Sequence, residues 1–110
     1  MDSEYNYVLT EKALDDIDEI LRYLSEVLSN PQAAGKLFYE ISETIDRILA
    51  FPQSGSPVIN PYLKRNDLRN LPLRNYLMYY RIDGERKTVY ILRVVYSHRD
   101  MGDILRRLNQ

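Results

Sequence analysis

The hydrophobic pattern of the first half of the chain predicts one short strand and two helices. Residues 5–9 form a short apolar and aromatic run, which is typical of a strand. Thr10 then provides a helix N-cap. Beyond it, apolar residues recur at helical spacing. They are Leu14, Ile17, Leu21, Leu24 and Leu28. This repeat predicts an amphipathic helix of about five turns.

A second amphipathic helix is predicted directly after a break at residues 29–31. Asn30 is a favourable N-cap, and Pro31 suits the first position of a helix. The apolar stripe of this helix consists of Leu37, Phe38, Ile41, Ile45, Ile48 and Leu49. Because a tight turn joins the two stripes, they are expected to form an antiparallel helical hairpin.

The second half of the chain has the shorter apolar runs that are typical of strands. Residues 51–67 contain prolines and a glycine and are predicted to form an exposed loop. Three runs then predict strands at about residues 68–73, 76–82 and 88–96. Asp83-Gly84 predicts a two-residue hairpin loop between the last two strands.

With this hairpin, strand alternation assigns the side chains of the last two strands to two faces. One face is expected to carry Leu77, Tyr79, Arg81, Tyr90, Leu92, Val94 and Tyr96. The other is expected to carry Tyr76, Met78, Tyr80, Ile82, Val89, Ile91, Arg93 and Val95. Because both faces are largely apolar, one should pack on the helices and the other should be partly covered, for example by a partner.

These elements together predict a single α+β domain over residues 1–110. In this fold, an N-terminal strand and a helical hairpin pack on a twisted antiparallel sheet. Residues 100–108 predict a short C-terminal helix.

Charge is distributed unevenly along the chain, although its formal net charge is only -1. Residues 1–50 carry eleven acidic and four basic side chains, whereas residues 51–110 carry eleven basic and five acidic ones. The second half is therefore expected to offer a surface to an anionic partner. A set of solvated helix faces followed by a lightly basic sheet is the alternative interpretation.

The composition excludes several kinds of chemistry. The chain has no cysteine, which excludes a disulfide framework, a thiolate metal site and a cysteine nucleophile. It has one histidine, His98, which excludes a metal site built from several histidines. No metal or other cofactor is therefore expected. The apolar runs are too short for a signal peptide or a membrane-spanning helix, so no membrane partner is expected.

Several short motifs occur in a characteristic order. They are Phe51-Pro52 with Gly55, Leu68-Arg69-x-Leu71-Pro72, Asn75-Tyr76, Tyr80-Arg81-Ile82-Asp83, Arg93-Val94-Val95 and Tyr96-Ser97-His98-Arg99-Asp100. In this order and spacing the chain resembles the RelE/ParE superfamily of toxins from type II toxin–antitoxin modules. The resemblance covers nearly the whole chain. It implies a small helix–sheet fold, a bacterial cytoplasm, and a cognate antitoxin whose C-terminal segment wraps the toxin.

The resemblance implies one of two targets. RelE-like toxins cut mRNA in the ribosomal A site, whereas ParE-like toxins poison DNA gyrase. Ribonucleolytic members usually carry an arginine where this chain has Leu77, and often a tyrosine near Leu105. Arg99 matches the superfamily pattern. Ribosome-dependent mRNA cleavage is slightly favoured as the broader activity. Gyrase inhibition by binding, and an inactive homologue that only binds its antitoxin, remain open.

Cleavage of RNA through its 2'-hydroxyl requires a base, an acid and a cation for the phosphate. The candidate catalytic residues are His98, Arg99 and Arg81, since an imidazole serves acid–base chemistry and guanidinium groups bind phosphate. The candidate residues for binding nucleic acid or another target are Arg69, Arg74, Arg93, Tyr80 and Tyr96.

Each candidate also has a structural interpretation. His98 can be a surface residue at a strand end. Arg81 and Arg93 can form ion pairs with acidic residues of the helices or of the antitoxin. The tyrosines are more often part of a core or of cross-strand pairs.

Overall fold

The structure of the chain, a computed structural model, describes residues 4–98 and 101–109. It confirms the predicted α+β class. The elements in chain order are β1 (Asn6–Leu9), α1 (Glu11–Arg22), α2 (Pro31–Ala50), β2 (Ser56–Pro57), β3 (Leu68–Leu73), β4 (Tyr76–Asp83), β5 (Thr88–Tyr96) and α3 (Met101–Leu108). No helix in these residues is long and apolar enough to cross a membrane.

The sheet has the strand order β1-β5-β4-β3-β2. Strands β3, β4 and β5 pair antiparallel in that order, as predicted, and β2 pairs antiparallel with β3 although its residues were predicted as part of a loop. Strand β1 instead pairs parallel with β5, from Asn6 opposite Thr88 to Leu9 opposite Ile91. The sheet is therefore mixed and not wholly antiparallel. A parallel pair needs a long connection, which the helical hairpin and the other strands supply.

The predicted helix caps are confirmed. The Thr10 side chain accepts a hydrogen bond from the Ala13 amide at 3.2 Å. The Asn30 side chain accepts one from the Ala33 amide at 3.1 Å. Helix α1 continues into a π-helical turn at Tyr23–Val27, the last turn before the hairpin loop. This turn is wider than α-helical geometry, so residues beyond it leave the apolar stripe.

Three residues of the predicted apolar stripes are in fact exposed: Leu14, Leu28 and Phe38. Leu28 follows the π-helical turn, which moves it out of line. Leu14 and Phe38 lie beside the buried sides of their helices. Helix α1 buries Ala13, Asp16 and Ile17. Helix α2 buries Leu37, Ile41, Thr44, Ile45 and Ile48. The prediction was therefore wrong for the edges of both stripes.

Each face of the sheet has its own hydrophobic core. The larger core lies between the sheet and the helical hairpin and includes Ile17, Ile41, Ile48, Met78, Tyr80 and Ile91. The smaller core lies under α3 and consists of Tyr79, Val95, Ile104 and Leu105. Val58 and Leu63 also pack against it, so the segment predicted as an exposed loop contributes to a core. Part of the second face is thus covered by the chain itself.

The β4–β5 hairpin lies where Asp83-Gly84 predicted it, but its loop is longer. Asp83 pairs with Thr88, which leaves residues 84–87 as the connection. The Asp83 carboxylate accepts hydrogen bonds from the Glu85 and Arg86 amides, both at 3.1 Å. This carboxylate organises a four-residue turn in place of the predicted two-residue one.

A β-bulge interrupts the pairing of β4 with β5. Tyr79 pairs with Arg93 and Tyr80 with Ile91, so Leu92 has no partner on β4. The predicted faces are correct as far as Ile91 and reversed after it. Val94 packs in the larger core and Val95 in the smaller one. A bulge adds one residue to one strand and therefore inverts the alternation beyond it.

Candidate functional site

Arg93 forms a buried ion pair with Asp16 of α1. Its Nε atom donates to Asp16 Oδ2 at 2.7 Å and its Nη2 atom to Oδ1 at 3.1 Å. The two side chains are only 7% and 9% exposed. The Val94 amide also donates to Asp16 Oδ2, at 3.0 Å. Val94 lies beyond Ile91, the last residue of β5 that pairs with β1. Arg93 therefore has the structural role that the sequence left open, and it is not an exposed contact for a target.

Tyr80 is fully buried and fixes the segment after α2. Its hydroxyl accepts a hydrogen bond from the Gly55 amide at 2.8 Å and donates one to the Pro52 carbonyl at 2.7 Å. A Cβ atom at Gly55 would lie 2.6 Å from the Tyr80 hydroxyl and 2.8 Å from the Asn70 carbonyl oxygen. Only glycine fits this position, so the Phe-Pro-x-x-Gly motif serves the fold, and the Tyr80 ring has no surface for base stacking.

Arg69 holds the same segment from the neighbouring strand. Its Nη1 atom donates to the Gly55 carbonyl at 2.5 Å and to the Gln53 carbonyl at 3.4 Å. The residue is half-buried. At least one nitrogen of this guanidinium is therefore used within the chain, which reduces its capacity to bind a phosphate bidentately.

Arg74 joins the β3–β4 turn to helix α2. It adopts a left-handed backbone conformation, with a φ of 55°. Its guanidinium binds the Glu40 carboxylate with two nitrogens, of which Nη2 lies 2.7 Å from Oε1. This bond lowers the pKa of Glu40 and raises the pKa of Arg74. Both side chains remain accessible, so Arg74 presents a largely neutralised ion pair to solvent.

Arg81 lies on the face of the sheet opposite the helical hairpin. Its guanidinium carbon is 4.0 Å from the centre of the Tyr90 ring, a cation–π contact with its cross-strand partner. The residue is half-buried. No salt bridge to Arg81 occurs among the described residues. The pKa of Asp67 is lowered chiefly by its hydrogen bond to Arg65, and the charge of Arg81 contributes to the same shift.

His98 and Tyr96 form an exposed aromatic cluster with Tyr76 at the end of β5. The ring centres of His98 and Tyr96 are 5.1 Å apart, and those of Tyr96 and Tyr76 are 6.0 Å apart. Burial, together with the nearby Tyr96 and Tyr23, raises the pKa of Tyr76, which stays protonated at neutral pH. Arg99, the remaining candidate, lies outside the described residues.

The described catalytic candidates lie at opposite ends of the sheet. Arg81 pairs with Tyr90 near the hairpin loop, whereas His98 follows Tyr96, which pairs with Tyr76. The five strand positions from Tyr76 to Arg81 correspond to roughly 17 Å. The two side chains therefore do not converge on one phosphate, and Leu77, at the position of the superfamily arginine, packs against the smaller core.

A groove that the sequence analysis missed lies between the helical hairpin and the ends of β4 and β5. It consists of two adjoining cavities of about 420 and 620 Å³, which share Leu24, Asn75 and Tyr76 as lining residues. We call it the hairpin groove. Its residues are distant in sequence, so no local motif marks it. Leu28, which the sequence analysis placed in the apolar stripe of the first helix, is exposed and lines the larger cavity.

Comparison with known proteins identifies the family. The sequence profile described as "ParE toxin of type II toxin-antitoxin system, parDE" matches residues 7–101. The chain therefore belongs to the ParE toxin family of type II toxin–antitoxin systems, within the superfamily that its motifs indicated. A search of curated proteins found no match.

Three solved structures have a similar fold. The chromosomal ParDE system from P. aeruginosa contains a chain that is 24% identical, with a TM-score of 0.66 over 84% of this chain and 95% of that one. The RelBE2 toxin–antitoxin complex from Mycobacterium tuberculosis is 22% identical, with a TM-score of 0.60 over 84% and 96%. The isolated E. coli RelE toxin is 17% identical, with a TM-score of 0.53 over 94% and 98%. At these identities the comparison supports the fold.

Proposed function

We propose that this toxin stops bacterial growth by binding DNA gyrase in the cytoplasm and not by cutting RNA. The observation that carries the proposal is the separation of the described catalytic candidates, Arg81 and His98, by roughly the length of a strand. General acid–base catalysis requires its groups within hydrogen-bonding reach of one reacting centre. Inhibition by binding requires only a complementary surface. The match to the ParE family supports the same choice.

The cognate antitoxin is the second partner that we propose. Two of the similar structures are of toxin–antitoxin systems, ParDE and RelBE2. The hairpin groove of this chain offers a partly apolar surface to such a partner.

Ribosome-dependent mRNA cleavage is the second candidate activity, as a metal-independent endoribonuclease. One observation favours it: His98 is exposed beside the half-exposed ring of Tyr96, directly before Arg99 in the sequence. An imidazole for proton transfer, a guanidinium for the phosphate and a ring for base stacking would suit RNA. In this mechanism Arg81 and the other arginines would contribute affinity and not chemistry.

Replacing His98 with glutamine separates the two activities in vivo. Under the gyrase proposal, inducible expression of His98→Gln should slow growth about as strongly as wild type, because a neutral polar side chain of similar reach remains. Under the nuclease mechanism, loss of a general acid should lower activity by about 10²-fold or more, and toxicity should disappear. The measurement is growth after induction at matched protein levels.

Arg81→Gln and Arg22→Gln serve as the matched pair in the same assay. Arg81 offers its charge on the sheet, and losing one charge-assisted contact should weaken target binding by about tenfold or more. Arg22 is exposed and pairs with Asp18 on the same helix, so its loss should leave toxicity unchanged. The gyrase proposal would be contradicted if His98→Gln lost its toxicity while Arg81→Gln and Arg22→Gln kept theirs.

A further inference from the structure

A third cavity, of about 250 Å³, lies where the start of α1, the middle of β5 and the end of α3 meet. Within the described part of the chain, four of its seven lining residues are basic and none is acidic. The basic ones are Lys12, Arg65, Arg93 and Arg107. We call it the basic cavity. Its residues come from distant parts of the sequence, and neither of the two target interpretations uses it.

Arg93 contributes an unused donor to the basic cavity. Its Nε and Nη2 atoms bind Asp16, whereas Nη1 forms no hydrogen bond within the described residues. Asp16 lines the hairpin groove and Arg93 lines the basic cavity, so the two partners of this ion pair border different cavities. The Arg93 side chain is only 7% exposed. An unpaired N–H donor at such a buried place costs free energy, which a bound acceptor recovers.

Two exposed cations line the same cavity. Lys12 forms no salt bridge within residues 4–98 and 101–109. It lies in the first turn of α1, where the helix dipole is positive. Arg107 pairs with Asp103 at 3.3 Å, and both side chains are more than half exposed, so this pair is weak. Both cations can therefore bind an anion without leaving a buried carboxylate unpaired.

Arg65 neutralises the negative groups nearest to the basic cavity. Its Nε and Nη2 atoms bind Asp67, which does not line the cavity. Its Nη1 atom donates to the Leu108 carbonyl at 3.0 Å. This carbonyl belongs to the negative end of the α3 dipole, so its bond to Arg65 reduces the repulsion that it would exert on an anion.

We propose that the basic cavity binds a phosphate group. Its free donors come from α1, β5 and α3, and donors on three elements suit the tetrahedral oxygens of phosphate better than the two coplanar oxygens of a carboxylate. Pockets for whole drug-sized ligands have volumes of about 300–1,000 Å³, so this smaller cavity fits one group of a larger molecule. That molecule is a nucleotide or a DNA strand, which share this chemistry.

Titration of the ¹⁵N-labelled toxin with inorganic phosphate at constant ionic strength tests the proposal. The amide NMR signals near Lys12 and Arg93 should shift and saturate. The double variant Lys12→Gln/Arg107→Gln should weaken binding by about tenfold or more, because charge-assisted contacts are lost. Arg22→Gln/Arg106→Gln is the matched control. It removes one surface cation from each of the same two helices and should stay within about threefold of wild type.

Three results would overturn the proposal: no saturable shift with phosphate, equal weakening in the double variant and its control, or acetate binding as tightly as phosphate. AMP and a short DNA duplex then identify the source of the phosphate. Duplex binding that is tighter than AMP binding and lost in Lys12→Gln/Arg107→Gln assigns the cavity to the DNA backbone. AMP binding without duplex binding assigns it to a nucleotide. Because gyrase takes no part in these titrations, failure here and failure of the proposed function are distinguishable.

Discussion

Replacing Asp16 with alanine is expected to destabilise the fold by about 3–5 kcal/mol, because it leaves the buried Arg93 charge without a partner. The Val94 amide loses its acceptor in the same change. Both side chains of the pair are more than nine-tenths buried, so water cannot replace the lost carboxylate without opening the core. Urea denaturation at neutral pH measures the effect as a lower midpoint at unchanged slope.

Asp18→Ala is the matched control, two residues further along α1. Asp18 pairs with Arg22 at the surface, with both side chains more than half exposed, so its loss should cost less than about 1 kcal/mol. Asp16→Leu combined with Arg93→Met should recover much of the loss, because a buried ion pair can be replaced by apolar side chains of similar volume. Equal effects of Asp16→Ala and Asp18→Ala would refute the role assigned to the buried pair.

Leu105→Ala is expected to cost about 2–5 kcal/mol, since it removes a buried side chain from the smaller core. Leu105 is 2% exposed and packs with Tyr79, Val95 and Ile104. In this chain the position near which ribonucleolytic relatives often carry a tyrosine is therefore part of the core that attaches α3 to the sheet. Thermal unfolding and urea denaturation should both show the loss.

Arg106→Ala controls for the helix itself. Arg106 is the next residue of α3, and its guanidinium carbon is 4.4 Å from the centre of the Tyr62 ring at the surface. An exposed cation–π contact contributes about 0.5–1 kcal/mol, well below the cost of a core cavity. If Leu105→Ala unfolded no more readily than Arg106→Ala, α3 would not be the cover of the second sheet face.

The sequence predicted the elements whose signals are local. Thr10 and Asn30 marked the starts of the two helices, because a cap bonds to an amide within three residues of its own position. Strands β3, β4 and β5 have the bounds that their apolar runs indicated, within one or two residues, whereas the two-residue β2 was not predicted. The superfamily motifs added the fold class, but they did not indicate the parallel pairing of β1 with β5.

The features that the sequence did not predict depend on distant contacts. The bulge at Leu92 lies where β5 stops pairing with β1. Before it, β5 pairs with β1 as far as Ile91, and after it the Val94 amide donates to the Asp16 carboxylate. A hydrophobicity pattern assigns Asp16 to the solvent side of α1 because it is charged. Ala13 and Ile20, one turn away on either side, nevertheless pack in or against the larger core. That position within the apolar stripe, together with an arginine in a strand, was the available signal for a buried pair.

The charge asymmetry has a partly structural explanation. Arg93 and Arg74 of the basic half bind Asp16 and Glu40 of the acidic half. These pairs attach the helices to the sheet, bury Arg93 and neutralise Arg74, which stays accessible. Arg81 and His98 remain accessible, at separate places. The sequence thus did not indicate which charges of the basic half the fold would use, and its role as a target surface stays a prediction.

Supercoiling of relaxed plasmid by purified gyrase, with and without the purified toxin, tests the central claim most directly. The account predicts that the toxin inhibits supercoiling in a dose-dependent manner, that the adjacent gene product reverses the inhibition, and that His98→Gln inhibits like wild type. Primer extension on translated mRNA should show no new cuts in parallel. Full supercoiling in the presence of the toxin, together with cuts at ribosome-occupied codons, would contradict the account and assign the toxin to the ribosome.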